Sequence, residues 1–178
     1  MNESALPLGF RAAGIAAGIK SSGARDLALI VNDGPHLFGT AVFTSNQIVA
    51  APVIWSRQII KDYTVAAVLL NSGGANACTG PEGFADTHHS AERVAEVLKL
   101  SSSDIAICST GLIGVRLPME SILNGIESAA TQLNANSLRE CAEAIMTTDS
   151  KAKIAIQVVR GTKFVGIAKG AEIGRAHV

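Results

Sequence analysis

Short apolar runs, each ended by polar or glycine-containing turns, recur through the first two thirds of the chain. Residues 26–32 (DLALIVN) predict a strand that ends at the Asp-Gly-Pro turn following it. Residues 39–44 (GTAVFT) predict the continuation of this strand or its partner. Residues 65–70 (VAAVLL) and 105–108 (IAIC) predict two buried strands, each running into a polar loop that contains glycine.

Helical spacing of apolar residues marks three further segments. Residues 83–100 carry apolar positions among charges and predict an amphipathic helix. Residues 118–133 and 136–146 have apolar residues at the same spacing and predict two more helices. Residues 154–159 and 163–168 predict a hairpin joined at Arg160-Gly161-Thr162. The alanine- and glycine-rich residues 9–20 are compatible with a helix or a packed loop. Because strands and helices alternate, the predicted class is α/β or α+β.

Composition narrows the function classes. Lysine plus arginine and aspartate plus glutamate number 15 each, so the formal net charge is zero, and 17% of residues are charged. This balance gives no electrostatic indication of a nucleic-acid partner, which would need a clustered basic face. No apolar run approaches the roughly 20 residues of a membrane span, and the first residues do not resemble a signal peptide. Three cysteines without paired spacing favour a reducing compartment. We therefore expect a cytoplasmic protein.

The two polar loops after the buried strands are the first candidates for chemistry. Residues 71–80 (NSGGANACTG) have backbone N–H groups able to hold a carboxylate or phosphate, and a tight structural turn explains the same residues equally well. In the second loop, Thr110 offers a hydroxyl and Gly111 a backbone N–H, two donors suited to a developing oxyanion. Taken alone, a Thr-Gly pair more often forms only a turn.

Four other groups of side chains in the sequence could be reactive. Thr147-Thr148-Asp149 places two hydroxyls beside a carboxylate, although helix termination explains it too. Lys169 follows an apolar strand and is either near a site or simply solvated. Adjacent His88 and His89 point in different directions on a helix and have no accompanying ligands, so we predict surface residues and no metal site. Cys78 has no identifiable base partner, and Cys108 and Cys141 are predicted to lie in the core.

Several of these segments, taken in order, resemble the N-terminal part of the glutamate N-acetyltransferase family, also called ornithine acetyltransferase or ArgJ. The matching stretches are residues 9–20 (GFRAAGIAAGIK), 26–31, 41–46 with 50–52, 71–80 (NSGGANACTG), 109–114 (STGLIG), 144–149 (AIMTTD) and 166–170 (GIAKG). One short motif would be weak, whereas an ordered series from residue 9 to about residue 170 is specific. The resemblance implies a DmpA/ArgJ-like fold of the N-terminal nucleophile type.

The resemblance also implies a mechanism. The family's precursor cuts itself before a threonine, and the new N-terminal threonine of the β chain becomes the nucleophile, with its own α-amino group as base. It takes acetyl from N2-acetylornithine and passes it to glutamate in a ping-pong reaction. Thr110 and Gly111 would then form the oxyanion hole, and Thr147 and Lys169 would bind substrate. No cofactor is expected, although acetyl-CoA is a possible co-substrate.

The resemblance further implies that this chain requires a β chain to complete the enzyme. Residues 1–171 correspond to the α-chain domain, which is incomplete without a β chain, and the nucleophile is expected just beyond Val178. An α2β2 assembly is expected, with no nucleic-acid or membrane partner and with no activity from this chain alone. Residues 172–178 depart from the family pattern and predict a non-native or truncated tail. A related self-processing amidohydrolase and a non-catalytic subunit remain the alternatives.

Overall fold

The computed structural model describes residues 5–170, which form a four-stranded sheet covered by helices on both faces and a separate β-hairpin. The sheet order is β1-β2-β3-β4, with β3 and β4 parallel and the other pairs antiparallel. The strands are β1 (Phe10–Ile15), β2 (Leu27–Asn32), β3 (Ala67–Gly74), β4 (Ile105–Leu112), β5 (Lys153–Val159) and β6 (Thr162–Ala168). The helices are α1 (Ala51–Ile59), α2 (Gly80–Leu98), α3 (Met119–Gln132) and α4 (Leu138–Ala144), with single 3₁₀ turns at Ile60–Asp62 and Ser102–Asp104.

The larger core lies between the sheet and helices α1, α2 and α3. Alternate residues of the strands face these helices, because successive side chains of a strand point to opposite faces. Leu27, Leu29 and Ile105 are fully buried there against Val94 and Ile126. Burying such side chains contributes about 1.5–3 kcal/mol each, so this core fixes the sheet and, with it, the strand ends discussed below.

Small residues let α4 approach the opposite face of the sheet. Ala12, Ala28, Cys141 and Ala144 lie in this second core together with Ile145. A Cβ atom at Gly14 would lie 2.2 Å from the backbone carbonyl carbon of Glu140 in α4, so only glycine fits that position. Residues 9–20, whose sequence is compatible with a helix or a packed loop, form strand β1 followed by a loop, and their small residues allow this close packing.

The predicted hairpin is confirmed as β5 and β6. Arg160 and Gly161 connect the strands, and both have positive φ angles of 49° and 81°. Two such residues form the type I′ turn whose twist matches that of paired strands. Most side chains of the hairpin are exposed, and Ile167 is among those that pack on the second core.

Three predictions about local structure are wrong. Residues 39–44 form no strand, and Val42 there is 98% exposed. The strands predicted to stop before the two polar segments instead continue into them, to Gly74 and Leu112, because the glycines allow the parallel backbones to remain paired. Cys108 is exposed rather than in the core, because α4 packs mainly on β1 and β2 and leaves that part of β4 uncovered.

Candidate active site

The carboxyl ends of β3 and β4 bring the two polar segments side by side. Ser72 is the register partner of Thr110, and Gly73 is the partner of Gly111. A Cβ atom at Gly111, where φ is +134°, would lie 2.5 Å from the carbonyl carbon of Gly73. The close approach of the two backbones therefore requires glycine and fixes the direction of the Thr110-Gly111 peptide.

The side chain of Lys169 reaches Thr110 from a distant part of the chain. Its Nζ donates a hydrogen bond of 2.7 Å to Thr110 Oγ1, although the residues are 59 positions apart. Both side chains belong to half-buried residues. A lysine ammonium can only donate, so the threonine hydroxyl accepts this bond and keeps its own proton for a second acceptor. The arrangement produces a hydroxyl donor with a positive charge directly behind it.

The loop after α4 carries Thr147 and is tied to the same region through the backbone. Ser72 Oγ donates to the carbonyl oxygen of Ala144 at 2.5 Å, which joins the end of α4 to β3 beside Thr110. Thr147 itself is exposed. Within residues 5–170 its hydroxyl makes no hydrogen bond to Thr110, so the structure brings Thr110 and Lys169 into contact and places Thr147 on the loop that follows α4.

Asp149 organises that loop. Its Oδ2 accepts the N–H of Thr147 at 3.2 Å, and Lys153 Nζ contacts its Oδ1. The backbone of Gly170 also lies against this carboxylate, because a Cβ atom there would be 2.7 Å from Asp149 Oδ1. The hydrogen bond from Lys153 lowers the pKa of Asp149, and the N–H of Thr147 acts in the same direction while burial opposes them. The carboxylate is therefore held in its charged form by the surrounding donors.

Lys20 and Asp26 support the site from the loop between β1 and β2, and sequence patterns alone did not single them out. Buried Asp26 accepts backbone N–H groups of Ala17, Ile19 and Lys20 at 2.6–2.9 Å. Lys20 Nζ donates to the carbonyl oxygen of Met146 at 2.7 Å. Burial lowers the pKa of Lys20, and the negative charges of Asp26 and Asp149 partly oppose that. The one sequence signal was an acidic residue directly before an apolar strand.

The remainder of the glycine-rich segment is structural. Asn76 is fully buried, and its amide donates to the carbonyl oxygen of Gly83 at 2.8 Å and to Thr87 Oγ1 at 2.9 Å. Its side-chain oxygen accepts the Thr79 hydroxyl. These contacts fasten the segment to the start of α2, which favours the interpretation as a structural turn over that as an anion site.

The remaining candidate side chains are histidines and cysteines. His88 and His89 are exposed on α2, as predicted, and His88 contacts the ring of Trp55. Cys78 is exposed and Cys141 is buried. Between residues 5 and 170, no group of three or more histidine, cysteine or acidic side chains is placed to hold a metal ion. No helix in that range is long and apolar enough to cross a bilayer.

Comparison with known proteins identifies the family. The profile of the ArgJ family matches residues 11–177. The chain belongs to the ArgJ family. The arginine biosynthesis bifunctional protein ArgJ of Streptomyces coelicolor is 55% identical over 163 residues, which cover 92% of this chain and 43% of that protein. The protein of the same name from Thermobifida fusca is 53% identical, with 93% and 43% covered.

Solved structures confirm the predicted ArgJ-like fold. Ornithine acetyltransferase of Mycobacterium tuberculosis, solved in complex with ornithine, superposes with a TM-score of 0.93 at 47% identity, over 96% of this chain and 94% of that one. The ArgJ protein of Bacillus halodurans gives a TM-score of 0.84 at 35% identity, over 94% and 89% of the two chains. This chain thus spans less than half the length of the curated ArgJ relatives and nearly all of the chain in the M. tuberculosis structure.

Residues 172–178, predicted to be a non-native or truncated tail, lie outside the described residues, as does the position just beyond Val178 where the nucleophile is expected.

Proposed function

We propose that this chain forms the α portion of a glutamate N-acetyltransferase of arginine biosynthesis, which transfers acetyl from N2-acetyl-L-ornithine to L-glutamate. The observation that carries the proposal is the 2.7 Å hydrogen bond from Lys169 Nζ to Thr110 Oγ1 beside Gly111. Family membership and the names of the relatives, arginine biosynthesis bifunctional protein ArgJ and ornithine acetyltransferase, support the reaction class.

In the proposed reaction, a threonine supplied by the rest of the precursor attacks the acetyl carbonyl carbon of N2-acetylornithine. Its hydroxyl proton passes to its own α-amino group, and negative charge develops on the acyl oxygen. The Thr110 hydroxyl and the Gly111 N–H donate to that oxygen, with the ammonium of Lys169 behind Thr110. The C–N bond then breaks, the proton goes to the departing amine, and ornithine leaves an acetyl-threonine ester.

The second half-reaction reverses these steps with glutamate as the acceptor. The α-amine of glutamate attacks the ester carbonyl, the same two donors stabilise the tetrahedral intermediate, and the threonine oxygen leaves with the returned proton. Because one oxyanion hole serves both halves, its loss should slow both. Thr147 and Lys169 contact the substrate in this proposal, and Lys169 adds positive charge where the oxyanion forms.

The proposal includes a second chain. The ArgJ relatives are more than twice as long as the matched region, whereas the matched chain of the M. tuberculosis structure has nearly this length. Both facts support a precursor that cleaves itself into an α chain and a β chain, which stay together in an α2β2 assembly. On this account the α chain alone has no activity, because it holds the oxyanion donors without the nucleophile. We place the enzyme in the cytoplasm.

The word bifunctional in the names of the relatives supports a second activity, in which acetyl-CoA replaces N2-acetylornithine as the acetyl donor. The two activities would share the acetyl-threonine, so Thr110 and Gly111 would serve both. Acetyl-CoA is then a co-substrate, and no bound cofactor is required.

The test is co-expression of this chain with the remaining portion of the S. coelicolor ArgJ protein, followed by assays of the purified complex. We expect acetyl transfer from N2-acetylornithine to glutamate, and none from this chain alone. Parallel assays measure release of free acetate without glutamate and transfer from acetyl-CoA. A complex that assembles and only hydrolyses amides would instead identify an amidohydrolase, and an assembled complex with no activity would identify a non-catalytic subunit.

A further inference from the structure

The carboxylate of Asp149 joins the two segments that carry the proposed substrate-binding residues. It accepts the backbone N–H of Thr147 on one side, and the backbone of Gly170, the residue after Lys169, lies against it on the other. Its side chain is completely shielded from solvent. The base of the β5–β6 hairpin, where Lys153 pairs with Ala168, brings the loop after α4 and the end of β6 together. Asp149 adds the side-chain contact that joins them beside Thr147 and Lys169.

The fit around Asp149 is tight and specific to its neighbours. A Cβ atom at Gly170 would lie 2.7 Å from Asp149 Oδ1, so glycine is the residue that allows the backbone to approach the carboxylate. Lys153 supplies the counter-charge that a shielded carboxylate needs. Each carboxylate oxygen is thus committed to groups of this chain, which indicates a structural junction rather than a free acid or base.

We propose that Asp149 is a positioning residue of the acetyl-transfer site, holding Thr147 and Lys169 at the spacing that keeps Lys169 on Thr110. This inference depends on the proposed function for its consequence in catalysis. Asp149 acts through the backbone of Thr147 and Gly170 and touches no reacting atom. Loss of its contacts would shift Lys169 relative to Thr110, and a displacement of about 1 Å in a reacting array can cost on the order of 10²-fold in rate.

Two pairs of variants test the proposal in the co-expressed complex. Asp149→Asn removes the charge and replaces one acceptor oxygen by a donor, and Asp33→Asn is its control, because Asp33 forms an ion pair with Arg11 at the opposite end of the sheet. Gly170→Ala places a methyl group against Asp149, and Gly166→Ala in the same hairpin is its control, because nothing lies within 4 Å of the added Cβ.

We expect Asp149→Asn and Gly170→Ala to lower kcat/KM on the order of 10²-fold, with KM for N2-acetylornithine raised as well as kcat lowered. Both controls should remain within about threefold of the parent, the spread of an uninvolved surface change. Gly170→Ala keeps the test valid if Asp149→Asn fails to fold. Parent-like kinetics in Gly170→Ala, in a complex that assembles normally, would overturn the proposal.

Hydrogen exchange on the chain separates this proposal from the proposed function. The amides of Thr147 and Gly170 should exchange faster in Asp149→Asn than in the parent and in Asp33→Asn, with protection of the β2 and β3 amides unchanged. If the parent complex transfers no acetyl group while these two amides lose protection, the proposed function fails and the junction stands. If their protection is unchanged in Asp149→Asn, the junction itself is refuted.

Discussion

The contact between Thr110 and Lys169 predicts that their contributions to catalysis are coupled. Thr110→Val keeps the shape of the side chain and removes the hydroxyl that would donate to the acyl oxygen. Lys169→Met keeps the length of the side chain and removes the charge behind that hydroxyl. Since the two groups are joined by a 2.7 Å hydrogen bond, neither change leaves the other group acting as it does in the parent enzyme.

The magnitudes follow from the geometry. Removing one oxyanion donor costs on the order of 10²–10³ in kcat. An acyl oxygen accepting from Thr110 would lie roughly 4.5 Å from Lys169 Nζ, where a full charge at an effective dielectric constant of about 20 contributes about 3–4 kcal/mol. Lys169→Met should therefore also cost on the order of 10²–10³. We expect the double variant to lose less than the product of the single losses, by at least about 1 kcal/mol of coupling.

The assay is steady-state acetyl transfer by the co-expressed complex of the parent, the two single variants and the double variant. Thr131→Val is the control, because Thr131 is an exposed threonine of α3 whose hydroxyl bonds only locally to Ser128. Unfolding free energy should change by no more than about 1 kcal/mol in Thr110→Val, which loses one half-buried hydrogen bond. Strictly multiplicative losses, or a Thr110→Val complex as fast as the control, would refute the coupling.

Three further predictions concern stability and reactivity. Gly14→Ala should lower the free energy of unfolding by about 1–3 kcal/mol or more in denaturant melts, because its Cβ would strike the backbone of Glu140; an unchanged melt would contradict the packing of α4. A thiol reagent at neutral pH should modify Cys78 and spare Cys141 until unfolding, because burial raises the pKa of the Cys141 thiol to about 12; equal labelling rates would contradict this. The hydrogen bond from Arg11 lowers the pKa of Asp33, so the ion pair stabilises the fold above the pKa that Asp33 has in the unfolded chain. This stabilisation is lost as pH falls through the lower pKa that Asp33 has in the folded chain. The small difference in melting temperature between the parent and Asp33→Asn should therefore vanish on acidification; a constant difference would argue against the ion pair.

Hydrophobic patterns predicted most of the elements of the fold, because the helices and the central strands each bury an apolar face. The amphipathic helices became α2, α3 and α4, and the hairpin formed where Gly161 follows Arg160. The pattern failed where packing overrides it. Residues 39–44 form no strand and lie mostly exposed. The pattern assigns no element to helix α1, where Pro52 occupies a first-turn position that tolerates it.

The site was only partly accessible from sequence. Thr110 and Gly111 were identifiable as potential donors, but glycines in a polar run indicated a loop, whereas Gly73 and Gly111 extend the paired strands. The contact of Lys169 with Thr110 depends on where the hairpin ends in space, which no local pattern encodes. Asp149 resembles a helix-terminating residue in the sequence, because Gly170, whose backbone lies against its carboxylate, follows only after the whole hairpin.

The most direct test of the account is a crystal structure of the co-expressed complex, trapped as the acetyl-enzyme or with a tetrahedral-intermediate analogue. The central claim is that Thr110 and Gly111 donate to the acyl oxygen while Lys169 supports Thr110. We expect Thr110 Oγ1 and Gly111 N to lie about 2.7–3.1 Å from that oxygen, with the 2.7 Å contact to Lys169 retained. An acyl oxygen that contacts neither donor and is held by other residues would contradict the account.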